Sequence, residues 1–190
     1  MIVAFPHKPS LIGGPGSFQL LLEKKLLSEK HTIVYAGDNH NKTPDVVLVV
    51  GGTRKLLWLI KLKISGTKIV HRLDGKNWQQ SIISDGLYVT CKSRIVNWLI
   101  AGIKVFLADA VIYQSNFVLS VWNTKKKLNN NHYVIYNSVD IHEFKPVNKD
   151  LNLKTDFTIV CVEGTVNGIP ALNILRSINS FSVEVYGNVS

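Results

Sequence analysis

The sequence predicts an α/β fold, a parallel sheet flanked by helices, and three observations carry that prediction. Short apolar, β-branched runs alternate with amphipathic segments, the pattern of strands joined by crossover helices. The run Asp45–Val50, DVVLVV, is almost uniformly apolar, as a central strand buried on both faces must be. The chain of 190 residues is 46% apolar with a mean hydropathy of +0.13, enough for one good core and a small appendage.

The elements come in order. Strands are expected at Ile2–Phe5, Thr32–Tyr35, Val46–Val50, Lys68–His71, Ala110–Tyr113 and Tyr133–Tyr136. Between the first two, Phe18, Leu21, Leu22 and Leu26 recur at helical spacing, with Glu23, Lys24 and Lys25 mostly opposite. A second helix spans about Thr53–Ile64 around Trp58, Leu59 and Leu62. A third spans about Ser93–Leu107 with a stripe of Ile95, Leu99, Ile103 and Phe106, and a fourth starts near Asn116. After Pro146 a polar stretch, Val147–Asp156, suits a linker. The pattern then restarts with strand Phe157–Val162, helix Ala171–Ile178 and strand Val183–Tyr186. Residues 1–146 are thus expected to form a whole domain, and 147–190 a linker with a partial second βαβ unit.

The net charge of +9 is unevenly spread. Residues 1–146 hold 19 Lys and Arg against 9 Asp and Glu, whereas 147–190 hold 3 against 4. Such a balance suits an anionic membrane face or phosphorylated ligands; a Lys-, Asn- and Ile-rich coding bias explains it equally well. Lys55, Lys61 and Lys63 beside Leu56–Ile60 are the candidates for peripheral contact with an anionic membrane. Nucleic acid fits less well: Lys125–Lys127 runs into Asn129–Asn131 with no interleaved aromatics. Cys91 and Cys161 are too few for a disulfide framework and show no metal spacing, so buried free thiols in a reducing cytoplasm are expected. No apolar run approaches the ~20 residues of a membrane span, and the MIVAF start shows no signal peptide.

Four segments could carry chemistry. In Gly13-Gly14-Pro15-Gly16-Ser17 the glycines permit positive φ and close ligand approach, and the next helix offers free N–H groups to an anion. Ser17 could cap that helix or donate to a phosphate; an ordinary strand–helix turn is the alternative. His71-Arg72-Leu73-Asp74-Gly75 ends the fourth strand, where ligands of open sheets bind. Arg72 could hold a phosphate or carboxylate bidentately, and Asp74 could position an acceptor hydroxyl, unless the two simply brace the loop. In Ala108–Ser115, Asp109 reads as a cap or turn residue, while Ser115 and Asn116 could face a cleft or cap the next helix. Asn137 could close the turn after its strand or touch a ligand.

The segment Tyr133–Pro146, YVIYNSVDIHEFKP, resembles the signature that leaves the first Rossmann-like domain of family 4 glycosyltransferases of the GT-B class. The glycine loop, HRLDG and ADAVIYQS resemble that family's motifs in the same order. The resemblance implies a retaining transfer from a nucleotide-sugar to a sugar or lipid-linked hydroxyl acceptor, with no metal and no other cofactor. It implies that His71 contacts the donor sugar and that Gly13, Gly14, Gly16 and Ser17 face the diphosphate and acceptor. Two departures stand out. Ser138 replaces a usual Gly, and Gly164-Thr165 stands where the family shows Gly-Arg, with a Lys a few residues on, as cations for the diphosphate. Little activity of the chain alone is therefore expected, along with self-association or a partner chain through residues 147–190. The alternatives are a non-catalytic binding module and a dinucleotide site. For the latter, Asp38 comes 22 residues after Gly16, but GGPGSF is not GxGxxG and Pro6–Ile12 separates it from the strand. A metal-dependent transferase lacks its Asp-x-Asp, and no G-x-S-x-G elbow is present.

Overall fold

The structure, a computed structural model, describes residues 1–10, 13–39, 42–76, 87–122, 131–139, 141, 158–165 and 182–188. The chain divides into two units, Met1–Ser138 and Val139–Ser190.

The first unit is α/β and Rossmann-like. Its strands are β1 (Ile2–Phe5), β2 (Thr32–Tyr35), β3 (Val46–Val50), β4 (Lys68–Leu73), β5 (Ala110–Tyr113) and β6 (Asn131–Val134). They form one six-stranded sheet in the order β2-β1-β3-β4-β5-β6, and every pair is parallel. The chain steps outward from β1 to β2, returns past β1 to β3, and then proceeds strand by strand to β6. The direction of winding therefore reverses between β1 and β3, and the strand ends there splay into a crevice. DVVLVV is interior, between β1 and β4, as its apolar run requires.

Helix α1 (Gly14–Ser28) covers one face, where Phe18, Leu22 and Leu26 pack over Val3, Phe5 and Leu48. Helices α2 (Leu56–Ile64), α3 (Leu87–Gly102) and α4 (Asn116–Trp122) cover the other. There Leu59 and Ile103 join Ala4, Val47, Val49 and Ile69, and Val118 and Trp122 join Val111 and Tyr113. Each fully buried aliphatic such as Leu59 or Ile69 contributes about 2 kcal/mol of transfer free energy.

Several expectations shift. Helix α2 starts at Leu56, not Thr53. Leu21 is exposed, so the apolar stripe of α1 that packs on the sheet is the half-buried Phe18, Leu22 and Leu26. Helix α3 ends in a π-helical turn, Ile103–Leu107. Ile95 and Phe106 are exposed; Ile103 is buried as expected, and Ser93 and Ile100 are buried in place of the other two. Ile95 lies before the π segment and Phe106 within it, so the buried face of α3, through Ser93, Val96 and Ile100, is offset from the expected stripe along the whole helix. Strand β4 runs two residues past His71, and β6 lies two residues before its expected place because its register against β5 pairs Tyr113 with Val134. Cys91 is exposed, not buried.

The second unit contains β7 (Thr158–Thr165) and β8 (Ser182–Asn188), a parallel pair with a register shift between Val162 and Thr165. Gly164 and Thr165 fall inside β7, beyond its expected end at Val162. The helix expected at Ala171–Ile178, the linker Val147–Asp156 and the run Lys125–Lys127 lie outside the described residues. Among the described residues no helix is long and apolar enough to cross a membrane.

Candidate functional site

The crevice between β1 and β3 opens into a cavity of about 630 Å³, the size of a small-molecule site. Three strand-end loops bound it: His7 after β1, Gly51–Arg54 after β3, and Asp74–Gly75 after β4. Pro15 in the first turn of α1 closes one side, and Val96, Leu99 and Ile100 of α3 supply an apolar wall. A smaller hollow of about 150 Å³ shares His7 and Pro15 and continues past Gly16 and Gln19.

Glycines let the backbones come this close. Gly51 turns the chain out of β3 at φ 66, a conformation other residues rarely adopt. A Cβ on Gly16 would sit 2.1 Å from the Ser10 carbonyl oxygen, so α1 can lie against the β1 loop only with glycine there. Helix α1 begins at Gly14, behind Gly13 at φ 91 and with no side-chain cap. Its first N–H groups are therefore not taken by a capping side chain. Ser17 lies inside the first turn and donates its hydroxyl back to the Gly13 carbonyl at 3.2 Å, so it does not cap the helix.

A hydrogen-bonded chain runs from the cavity wall into the molecule. His7 Nε2 and Thr53 Oγ1 are 2.9 Å apart. The Gln19 amide donates to the His7 carbonyl and to Glu23 Oε1, each at 2.8 Å, and Tyr35 donates its hydroxyl to Glu23 Oε2 at 2.8 Å. Gln19 and Glu23 are buried. Burial, helped by the Lys55 charge, holds the His7 imidazole below its ordinary pKa. Burial and the Glu23 carboxylate push Tyr35 up to about 12.

On β4 the side chains of His71 and Arg72 point to opposite faces, as neighbours in a strand must. His71 is fully buried on the α3 face. Its Nε2 donates to the Gly51 carbonyl at 2.6 Å, leaving the buried Nδ1 with no partner. Burial lowers its pKa to about 4; the Gly51 bond opposes this and the Lys104 charge adds to it. Arg72 is equally buried on the α1 face, its guanidinium 3.8 Å from the Phe18 ring centre. It donates to Asp74 Oδ1 (2.5 Å), Asn137 Oδ1 (2.7 Å) and Gln114 Oε1 (3.0 Å), tying together the ends of β4, β5 and β6. Burial raises the Asp74 carboxyl above its usual range, against the pull of Arg72.

Of the residues singled out from sequence, the structure brings Asp74 to the cavity and Gly16 to the adjoining hollow. Gly13, Gly14 and Ser17 flank them at the start of α1. His71 and Arg72 lie inside the sheet layer, and Asn137 is joined to Arg72 rather than to its own turn. Ser115 caps α4 by accepting the Val118 N–H at 3.2 Å, and Asn116 donates to the Tyr136 hydroxyl at 3.1 Å. Asp109 clamps β4 to β5: it accepts the Ile69 N–H at 2.8 Å and pairs with Lys63 at 2.9 Å. Gly164 and Thr165 belong to the second unit.

Sequence reasoning missed His7, Gly51, Gly52, Thr53 and Arg54. The signal was available, because Gly51-Gly52 comes directly after the most apolar strand, as ligand-approach glycines do. Among the described residues no cluster of His, Cys, Asp and Glu could hold a metal ion. Neither a family model nor a curated protein sequence matches the chain.

Proposed function

We propose that the first unit is the acceptor-side domain of a retaining glycosyltransferase that uses a nucleotide-sugar donor. The observation that carries this reading is the cavity where β1, β3 and β4 end, bounded by three loops and the start of α1. Open parallel sheets bind ligands at such a reversal point. Its polar groups suit a sugar: His7, Thr53 and Asp74 offer hydroxyl partners, and Arg54 supplies a cation for a phosphate. The apolar wall of Val96, Leu99 and Ile100 suits a sugar ring face or the first carbons of a lipid. The resemblance of the glycine loop and HRLDG to family 4 motifs supports the same reading.

In this proposal His71 acts from behind the cavity, fixing the Gly51 carbonyl and with it the β3 loop. Turnover by the 190-residue chain is slow, because Gly164-Thr165 lacks the cation that would offset charge developing on a leaving diphosphate. Calorimetry with UDP- and GDP-sugars, with and without sugar acceptors, tests it. Weak donor binding with saturable binding of a sugar or glycolipid is expected. Micromolar binding of NAD that is lost in Asp38→Ala would replace it with the dinucleotide reading, since Asp38 stands just past the end of β2.

A further inference from the structure

The surface that α2 and α3 turn away from the sheet is apolar where water meets it. Leu57 is 84% exposed, Ile64 82%, Phe106 80% and Trp98 74%, and Ile60, on α2 with Leu57 and Ile64, is 40% exposed. Isolated exposed apolar residues are ordinary, but a contiguous set marks an interaction surface. Leu57, Ile60 and Ile64 recur at i, i+3 and i+7, one stripe on the side of α2 opposite the buried Leu59. The π-helical turn that carries Phe106 packs beside α2, and Leu59 and Ile103 close the same core, so the outer sides of both elements form one surface.

The charge of that surface points to its occupant. Lys61, Lys92 and Arg94 are exposed on the same helices. From Leu56 to Leu73 and from Leu87 to Ala108 the chain contains no Asp or Glu. The next carboxylate, Asp109, is already paired with Lys63. A cationic surface with exposed Leu, Ile, Trp and Phe matches a partner that is both anionic and able to take up side chains at any depth. Lipid headgroups over acyl chains are that partner: apolar tips enter the boundary layer while Lys and Arg stems reach back to the phosphates.

We propose that the outward face of α2, α3 and the π-helical turn docks on a bilayer surface carrying anionic lipid. This stands independently of whether the cavity serves a transferase. Cooperation of the two terms is what gives adequate affinity, since neither a short apolar stripe nor three cations anchors a protein alone.

Co-sedimentation with phosphatidylcholine vesicles, with and without phosphatidylglycerol, tests the proposal. Binding is expected only with phosphatidylglycerol and weakens as salt is raised. Each of Lys61→Gln, Lys92→Gln and Arg94→Gln lowers the partition coefficient about fivefold. Combined Leu57→Ser, Ile64→Ser and Phe106→Ser abolishes binding while leaving the far-ultraviolet dichroism unchanged. If that triple variant does not fold, Trp98 provides a second readout. Its emission shifts to the blue on phosphatidylglycerol vesicles, and the shift disappears in Trp98→Phe. Binding indifferent to lipid charge, or none at all, would overturn the proposal. So would a dimer in sedimentation equilibrium that Leu57→Ser dissociates in a chain that ignores vesicles, for the face would then join two copies.

Discussion

The two halves of the sheet's carboxyl edge are built in opposite ways. Around β1 and β3 the strand-end loops stand apart and leave the cavity, and its polar groups face inward onto open space. Around β4, β5 and β6 the same edge is filled. Arg72 reaches a partner at each of those strand ends and stacks on Phe18. Polar residues at strand ends thus serve two purposes in one sheet, and neighbours such as Asp74 serve both. Polarity and position alone do not separate a ligand site from a brace; the difference lies in whether open space is left beside the groups.

Breaking the filled half should give the largest effect. Arg72→Ala removes the shared donor of Asp74, Gln114 and Asn137, empties a buried site and leaves the half-buried Asp74 carboxylate without its cation. A loss of about 3–5 kcal/mol in chemical denaturation is expected. A change within experimental error would mean that the edge is held by packing alone.

His71 should set the acid limit. Its pKa is about 4 in the fold against 6.5 unperturbed, so the folded protein holds the imidazole neutral while the unfolded chain takes up a proton first. Its contribution, about 3 kcal/mol, is fully present above pH 6.5 and is lost as the pH falls through 4. The His71 ring resonance should titrate with a midpoint near 4, and His71→Asn should flatten the fall in stability between pH 6.5 and 4. A midpoint near 6.5 would place the ring in water.

On the open half the effects on stability are smaller and those on binding larger. Gly16→Ala forces a methyl group toward the Ser10 carbonyl and should cost about 1–3 kcal/mol, as overpacking does, while distorting the hollow beside His7. Arg54→Ala touches an exposed side chain and should change stability by less than about 0.5 kcal/mol. Loss of affinity for phosphorylated ligands in Arg54→Ala, with unfolding unchanged, would sharpen the contrast between the two halves.

The sheet was legible because its signal is local. Ile2–Phe5, Thr32–Tyr35, Val46–Val50 and Ala110–Tyr113 are apolar, β-branched runs that form strands within their expected bounds. The YVIY run misleads because β6 is at the sheet edge, where pairing with β5 rather than burial fixes the register, and Ile135 and Tyr136 stay exposed. Ile95 and Phe106 mislead because the buried face of α3 runs through Ser93, Val96 and Ile100, and a buried serine hides its phase from an apolar stripe. The site was half legible. The glycines announce themselves, and Asp74 is expected from its strand end. Whether Arg72 meets a ligand or Asn137, 65 residues away in sequence, is decided by the order of the strands. His7 gives no local signal at all, since a lone histidine after a strand becomes a cavity wall only once β3 lies beside β1.

The most direct measurement is an amide NMR titration of the 190-residue protein with sugar and sugar-phosphate ligands, repeated on Arg54→Ala and Asn137→Ala. Saturable shifts should gather at His7, Gly51, Gly52, Thr53 and Asp74, weaken in Arg54→Ala and persist in Asn137→Ala. Shifts confined to Arg72, Gln114 and Asn137, or none at the β1 and β3 loops, would contradict the assignment of the open half as the binding site.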